Sequence, residues 1–234
     1  MTTPGSRAVP ADHSAAPADH AATPAEHAAT PADHPGARYD AVFAGDRPVL
    51  RTPRLLVRPI ADDDASDIER FAGDFEVART LLAMPHPYPE GAALEWIAKH
   101  PELWRERKEL PLAICRHDRG GSLAGSLAGA IALRFALDHH HGEVGYWIAK
   151  DHWGQGIASE ATHAVLDWGF RALGLHRIFA RHMAENPASG GVMRKNGMRL
   201  EGTLREHHWK HGRAHDFHVY GILREEYLAL HGAR

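Results

Sequence analysis

The stretch Gly142–Gly197 constrains the fold of this chain more than any other. Within it, Glu143-Val144-Gly145-Tyr146-Trp147-Ile148-Ala149 is a short apolar, aromatic run, as a buried strand requires. Lys150-Asp151-His152-Trp153-Gly154-Gln155-Gly156 reads as a glycine-containing turn. From Ile157 the period changes. Ile157, Ala161, Ala164, Val165 and Trp168 recur at helical spacing, while Glu160, His163, Asp167 and Arg171 share another face. Strand, glycine turn and helix start are together what an anion site needs. The first helical turn has unpaired N–H groups and the positive end of the dipole, and glycines let a phosphate approach the backbone.

The same glycines also suit a reading in which they only shape a tight loop. Two common phosphate loops are excluded. No Gly-Lys-Ser/Thr ending follows, so this is not a P-loop. The dinucleotide pattern needs Gly or Ala where Ser159 stands, and a turn directly after the strand, whereas several residues separate Ile148 from Gly154.

The stretch resembles the acetyl-coenzyme A signature of the GNAT superfamily of N-acetyltransferases, Gln/Arg-x-x-Gly-x-Gly/Ala. It maps onto Trp153-Gly154-Gln155-Gly156-Ile157-Ala158: Gly156 and Ala158 match, and Trp153 departs from the Gln/Arg position. The longer string, Glu-Val-Gly-Tyr-Trp-Ile through Trp-Gly-Gln-Gly-Ile-Ala-Ser-Glu-Ala, is similar to the ribosomal-protein alanine N-acetyltransferase-like branch, in which that departure is usual. The resemblance runs from about Thr52 to about Glu226. It implies the GNAT acyl-CoA N-acyltransferase fold, a central mixed α/β sheet flanked by helices.

The chain divides into a tail, residues 1–46, and a domain, residues 47–234. From Ala11 the tail repeats every seven residues, as in Ala-Asp-His-Ala-Ala-Thr-Pro. A heptad suggests a coiled coil, but its apolar residues are alanines, and Pro17, Pro24 and Pro31 would break each helix. Such a composition cannot bury enough surface to offset ordering entropy, so a disordered, solvated tail is expected. His13, His20, His27 and His34 each follow a carboxylate, which suits at most loose metal binding. Residues 1–46 carry two basic and six acidic side chains, and the net charge of the chain is −3, so neither part is a nucleic-acid-binding polycation. The single cysteine, Cys115, excludes an internal disulfide and a Cys-rich zinc site, and in Leu112-Ala113-Ile114-Cys115 it reads as core. No bound metal is expected. No apolar run reaches the ~18 residues of a membrane span. The N-terminus lacks the features of a secretory signal, so a cytoplasmic protein is expected.

Leu55–Ile60 reads as a first strand. Asp62, Asp63 and Asp64 open a helix that buries Ile68 and Phe71, and Pro89–Arg107 suits a second helix, with Leu94, Ile97, Ala98 and Leu103 available for burial and a break at His100-Pro101. Leu81–Tyr88 between them is irregular, and by the resemblance it borders the acceptor site. Pro111–Arg116 and Leu127–Phe135 read as strands joined by the turn Asp118-Arg119-Gly120-Gly121. His139–Gly142 reads as a loop. The central helix ends near Gly174 and Leu175–Met183 is a strand. Asn186 is an N-cap with Pro187 behind it, and Gly197 closes that short helix. Met198–His208 and Ala214–Leu223 form a last hairpin.

The resemblance implies direct attack of a neutral amine on the thioester of acetyl-CoA. This needs a phosphate grip, an oxyanion donor, a base for the amine and an acid for the thiolate. Backbone amides of Gly154, Gln155, Gly156, Ile157 and Ala158 are the phosphate candidates. Trp147, Ile148 and Ala149 would line the pantetheine and offer an N–H to the carbonyl oxygen. Asn186 and Ser189 match the branch's Asn-x-x-Ser. Many GNAT enzymes carry an acidic tyrosine later in that helix. Met193 stands there instead, so Ser189 is the candidate acid. For the base, counting from Glu201-Gly202 lands on His208, a group that titrates near neutrality, with Glu143 and Glu206 as rivals. Three acceptor readings stay open. The first is a peptide or protein N-terminal amine. The second is a small amine such as a polyamine or aminoglycoside. The third is no acceptor at all, in a non-catalytic acyl-CoA-binding module. A homodimer is a further open reading.

Overall fold

The computed structural model describes residues 35–82, 84–117 and 126–232. The tail repeat and the turn expected at Asp118–Gly121 lie outside them. In chain order the elements are α1 (Pro35–Phe43), β1 (Leu50–Arg51), β2 (Leu55–Pro59), α2 (Ala65–Ala72), α3 (Phe75–Ala78), α4 (Ala92–Ile97), α5 (His100–Arg105), β3 (Glu109–Arg116), β4 (Leu127–Ala136), β5 (His141–Ile148), α6 (Ile157–Asp167), β6 (Arg177–Met183), α7 (Pro187–Lys195), β7 (Arg199–Lys210), β8 (Arg213–Leu223) and α8 (Arg224–His231). The strands form one mixed sheet in the order β1-β2-β3-β4-β5-β6-β8-β7, so the expected α/β fold is the one observed.

The junction of β5 and β6 matters most. It is the parallel pairing in the sheet, and it lasts three residues: His141, Gly142 and Glu143 opposite Arg177, Ile178 and Phe179. β5 stays paired with β4 out to Ile148, and β6 stays paired with β8 out to Met183. Two well-bonded wings therefore part beyond Glu143, leaving a gap at the C-terminal ends of β5 and β6. The antiparallel ladder aims Ile148 into it. Ala149 N donates to Ala128 O (2.8 Å), so the adjacent pair Ile148–Gly129 is a non-hydrogen-bonded one, with its N–H and C=O turned away from β4.

The two faces of the sheet are covered separately. Val144 and Ile148 pack with Val165, Phe170, Ile178 and Tyr227 under α6, while Trp147 packs with Leu56, Ile68 and Ile97 under α2 and α4. Alternation along β5 thus puts Tyr146 on the α6 face and Glu143 on the α2 face.

Several expectations need correction. α1 lies inside the stretch assigned to the tail. Its Tyr39 is buried, with the hydroxyl 2.6 Å from His140 Nδ1, and Phe43 packs on Trp104 and Phe135. Tyr39, Val42 and Phe43 supply the apolar surface that the repeat lacks, so folded chain begins by Pro35 rather than near Arg47. The helix expected at 89–107 is broken, as anticipated, into α4 and α5, but it parts at 98–99 and His100-Pro101 opens α5. The i,i+4 pair Ala93/Ile97 of α4 faces the core, which leaves Leu94 49% exposed instead of buried. His141 begins β5 rather than belonging to a loop.

Candidate active site

Gly154 and Gly156 hold φ of 73° and 76°. Only glycine adopts this left-handed region without strain. A Cβ on Gly154 would meet nothing within 4 Å, so the loop surface there is open. Gly156 is the N-cap of α6, and its carbonyl accepts from Glu160 N (3.1 Å). The amides of Gly154 to Ala158 precede that first intrahelical bond, and among the described residues none has an acceptor. They stand at the positive end of α6.

A part-exposed ion-pair brace fixes this turn. Glu160 Oε1 accepts from Thr52 Oγ1 (2.6 Å) and Arg54 N (3.0 Å), and Glu160 Oε2 accepts from Arg54 Nε (2.6 Å). Burial alone would raise the Glu160 carboxyl, but the hydrogen bonds from Thr52 and Arg54 outweigh it and hold the group below its usual range. Arg54 Nη1 also donates to Gln155 O (2.9 Å), and Arg116 Nη1 donates to Gln155 Oε1 (3.0 Å). Two largely exposed guanidiniums thus flank the unpaired amides. Sequence reading missed both, because they come from the residue before β2 and the end of β3, and no local pattern links Arg54 to a loop 101 residues away. Trp153, the departure from the family signature, donates its indole N–H to Ile148 O (2.8 Å) and ties the loop to the strand end.

Across the gap stands α7. Asn186 Oδ1 accepts from Ser189 N (3.3 Å), so Asn186 acts as the N-cap. Ser189 Oγ lies 2.8 Å from the Tyr146 hydroxyl. Burial, partly offset by that contact, pushes the Tyr146 phenol up to about 12, so it keeps its proton at any working pH. Met193 is buried and has no proton to give. Tyr146 was read only as part of a strand. Its pairing with Ser189 needs the β5–α7 approach, which sequence spacing does not reveal.

The opposite face of the gap carries Glu143. Its carboxylate is held by Arg181 through Nε (2.9 Å) and Nη2 (3.1 Å), and Arg181 Nη1 is 3.4 Å from His207 Nε2. His208, on β7, is half-buried with its ring 6.1 Å from that of Phe217. The structure therefore brings Glu143 to the gap and puts His208 three strands from β5. Glu206 is exposed, at a bulge where its φ is 50°. Among the described residues no helix is long and apolar enough to cross a membrane, and no three His, Cys, Asp or Glu side chains converge as a metal site would require.

Comparison with known proteins gives one family. Residues 54–199 match the model of the acetyltransferase (GNAT) domain. The uncharacterized N-acetyltransferase YoaA of Bacillus subtilis is 34% identical over 178 residues, which is 76% of this chain and 97% of that protein. The ribosomal-protein-serine acetyltransferase of Escherichia coli is 33% identical over 81 residues, 35% of this chain and 45% of that one. Among solved structures, spermidine N-acetyltransferase from Vibrio cholerae in complex with CoA and spermine superposes with a TM-score of 0.64 at 24% identity, over 76% of this chain and 99% of that one, which speaks for the fold. The chain belongs to the GNAT acetyltransferase family and is an N-acetyltransferase.

Proposed function

We propose that this protein moves the acetyl group of acetyl-CoA directly onto the α-amine of a peptide or protein N-terminus. The observation that carries the reading is the gap between β5 and β6, with the unpaired amides of Gly154–Ala158 at its mouth and the Tyr146–Ser189 pair across it. Acetyl-CoA fits those features: the amides, with Arg54 and Arg116, suit phosphate oxygens, and the gap suits the pantetheine arm. When bound, it supplies a thioester carbon open to attack.

The chain's own residues then have these roles. Ile148 N–H, turned into the gap, donates to the oxyanion. The amine nitrogen bonds to the acetyl carbon and the carbon–sulfur bond breaks. Ser189 gives its hydroxyl proton to the departing thiolate. Tyr146, donating to Ser189 Oγ, orients that proton outward, and Ser189 regains a proton from water. The proton leaving the amine goes to Glu143, the candidate base that stands at the gap. Asn186 keeps α7, and with it Ser189, at the gap. Trp147 and Ala149 line the arm through their backbone, but Ala149 N–H is already committed to Ala128 O, which leaves Ile148 as the oxyanion donor.

The acceptor follows from charge. A polyamine site needs uncompensated carboxylates. Here Glu143 is bound by Arg181, and Glu185 by Arg213 (2.7 and 2.8 Å) and His215. A single amine suits such a surface better than a polycation does, and the Escherichia coli relative is named for a protein substrate. Thiol release from acetyl-CoA, measured with a serine-initiated peptide, its N-terminally blocked form and spermidine, tests this. Turnover of the free peptide alone is expected. Faster turnover of spermidine overturns the acceptor, and thiol release with none of them overturns the transfer.

A further inference from the structure

We propose that the tip of the β7–β8 hairpin clasps the α3–α4 loop across the split sheet, and that Lys210 positions the acceptor by holding this clasp closed. Lys210 Nζ donates to Ala78 O (2.8 Å), to Leu81 O, and at the limit of reach to Met84 O (3.4 Å). These partners lie 126 to 132 residues away in sequence. An ammonium has three protons to give, and here all of its contacts are carbonyls. Ala78 O closes α3 and also accepts from Leu81 N (3.2 Å), while Leu81 and Met84 lie in the chain that follows, so the ammonium adds a second donor at the negative end of α3. Next to Lys210, the His211 ring meets Phe75 edge-on at 5.7 Å, and Phe75 also meets His86 at 5.1 Å. The β7 bulge at Glu206, whose N–H donates to Asp216 Oδ1 (2.8 Å), bends the strand before pairing with β8 resumes at His208 opposite His215.

Placement gives this contact its meaning. α2 to α4 cover the wing that ends at β5, whereas β7 and β8 belong to the wing that begins at β6. The clasp is thus a bridge over the gap, and it lies on the Glu143 face, opposite Ser189. It turns an open cleft into a bounded window through which an amine must pass to reach the thioester. This rests on the acetyl-transfer reading for the direction of entry, but the clasp itself does not.

The test uses the full chain with Lys210→Met and Lys210→Arg. Removing a charged donor from these part-buried carbonyls is expected to speed amide exchange across residues 75–82 by about tenfold. The KM of the serine-initiated peptide should rise by about tenfold, kcat should stay within about threefold, and calorimetric acetyl-CoA affinity should not change. Lys210→Arg should recover part of both losses. Unchanged exchange, or a fall in kcat with unchanged KM, overturns the proposal. If wild type turns over neither the peptide nor spermidine, the transfer reading has failed, and the exchange arm still decides the clasp.

Discussion

The proposed cofactor side and the proposed acceptor side of the gap are built from different materials. At Gly154–Ala158 the groups offered are backbone amides, set by two left-handed glycines and the start of a helix. Across the clasp the contacts are made by side chains: Lys210 on the carbonyls of Ala78 and Leu81, Arg181 on the Glu143 carboxylate, Arg213 on the Glu185 carboxylate. Backbone amides recognise what all acyl-CoA substrates share, and they tolerate little substitution. Side-chain clasps can be exchanged without refolding the strand ends. A protein built this way keeps its donor constant and its acceptor adjustable.

The largest expected effect is on the backbone side. Gly156→Asp introduces a Cβ at φ 76° and a negative charge where phosphate oxygens would sit. Acetyl-CoA affinity by calorimetry should fall at least about a hundredfold, with the fold retained by circular dichroism. Retained affinity would mean that the two sides are not built differently.

Between the two sides lies Ser189. Ser189→Ala should lower kcat by roughly tenfold to a hundredfold in pre-steady-state measurements and leave acetyl-CoA affinity in place. The thiolate is a tolerable leaving group, which keeps the effect at the low end. Tyr146→Phe should give a similar loss, and the double variant should be little worse than either, because the two hydroxyls act as one unit. Full additivity would separate them.

Truncation sharpens the comparison from outside. A chain starting at Pro35 should keep its melting temperature and its affinities. One starting at Ala44 loses the Tyr39 and Phe43 packing and should melt about 5 °C or more lower, while acetyl-CoA still binds. An equal Tm for both would show that α1 contributes nothing.

The same contrast explains what was legible in the sequence. The strand–glycine–helix unit and the Asn186 cap were readable because each is written in consecutive residues, as were β3, β4 and the last hairpin. What was missed is non-local. The Thr52–Arg54–Glu160 brace, Tyr146 against Ser189 and the Lys210 clasp each join residues between 43 and 132 apart. α1 was missed for another reason. The repeat's alanines and prolines run up to it, and only Tyr39, Val42 and Phe43 mark the change. Leu94 shows the limit of periodicity in a helix of six residues, where too few positions exist to tell the buried face from the exposed one.

The most direct test of the grip by Gly154–Ala158 is amide hydrogen exchange, residue by residue, with and without saturating CoA. Among the described residues these amides have no acceptor. They should exchange quickly in the free chain and slow by about tenfold or more when CoA is bound, with far smaller changes across residues 78–82. If CoA binds and the amides of 154–158 exchange as before, the phosphates lie elsewhere, and the loop is only a turn between a strand and a helix.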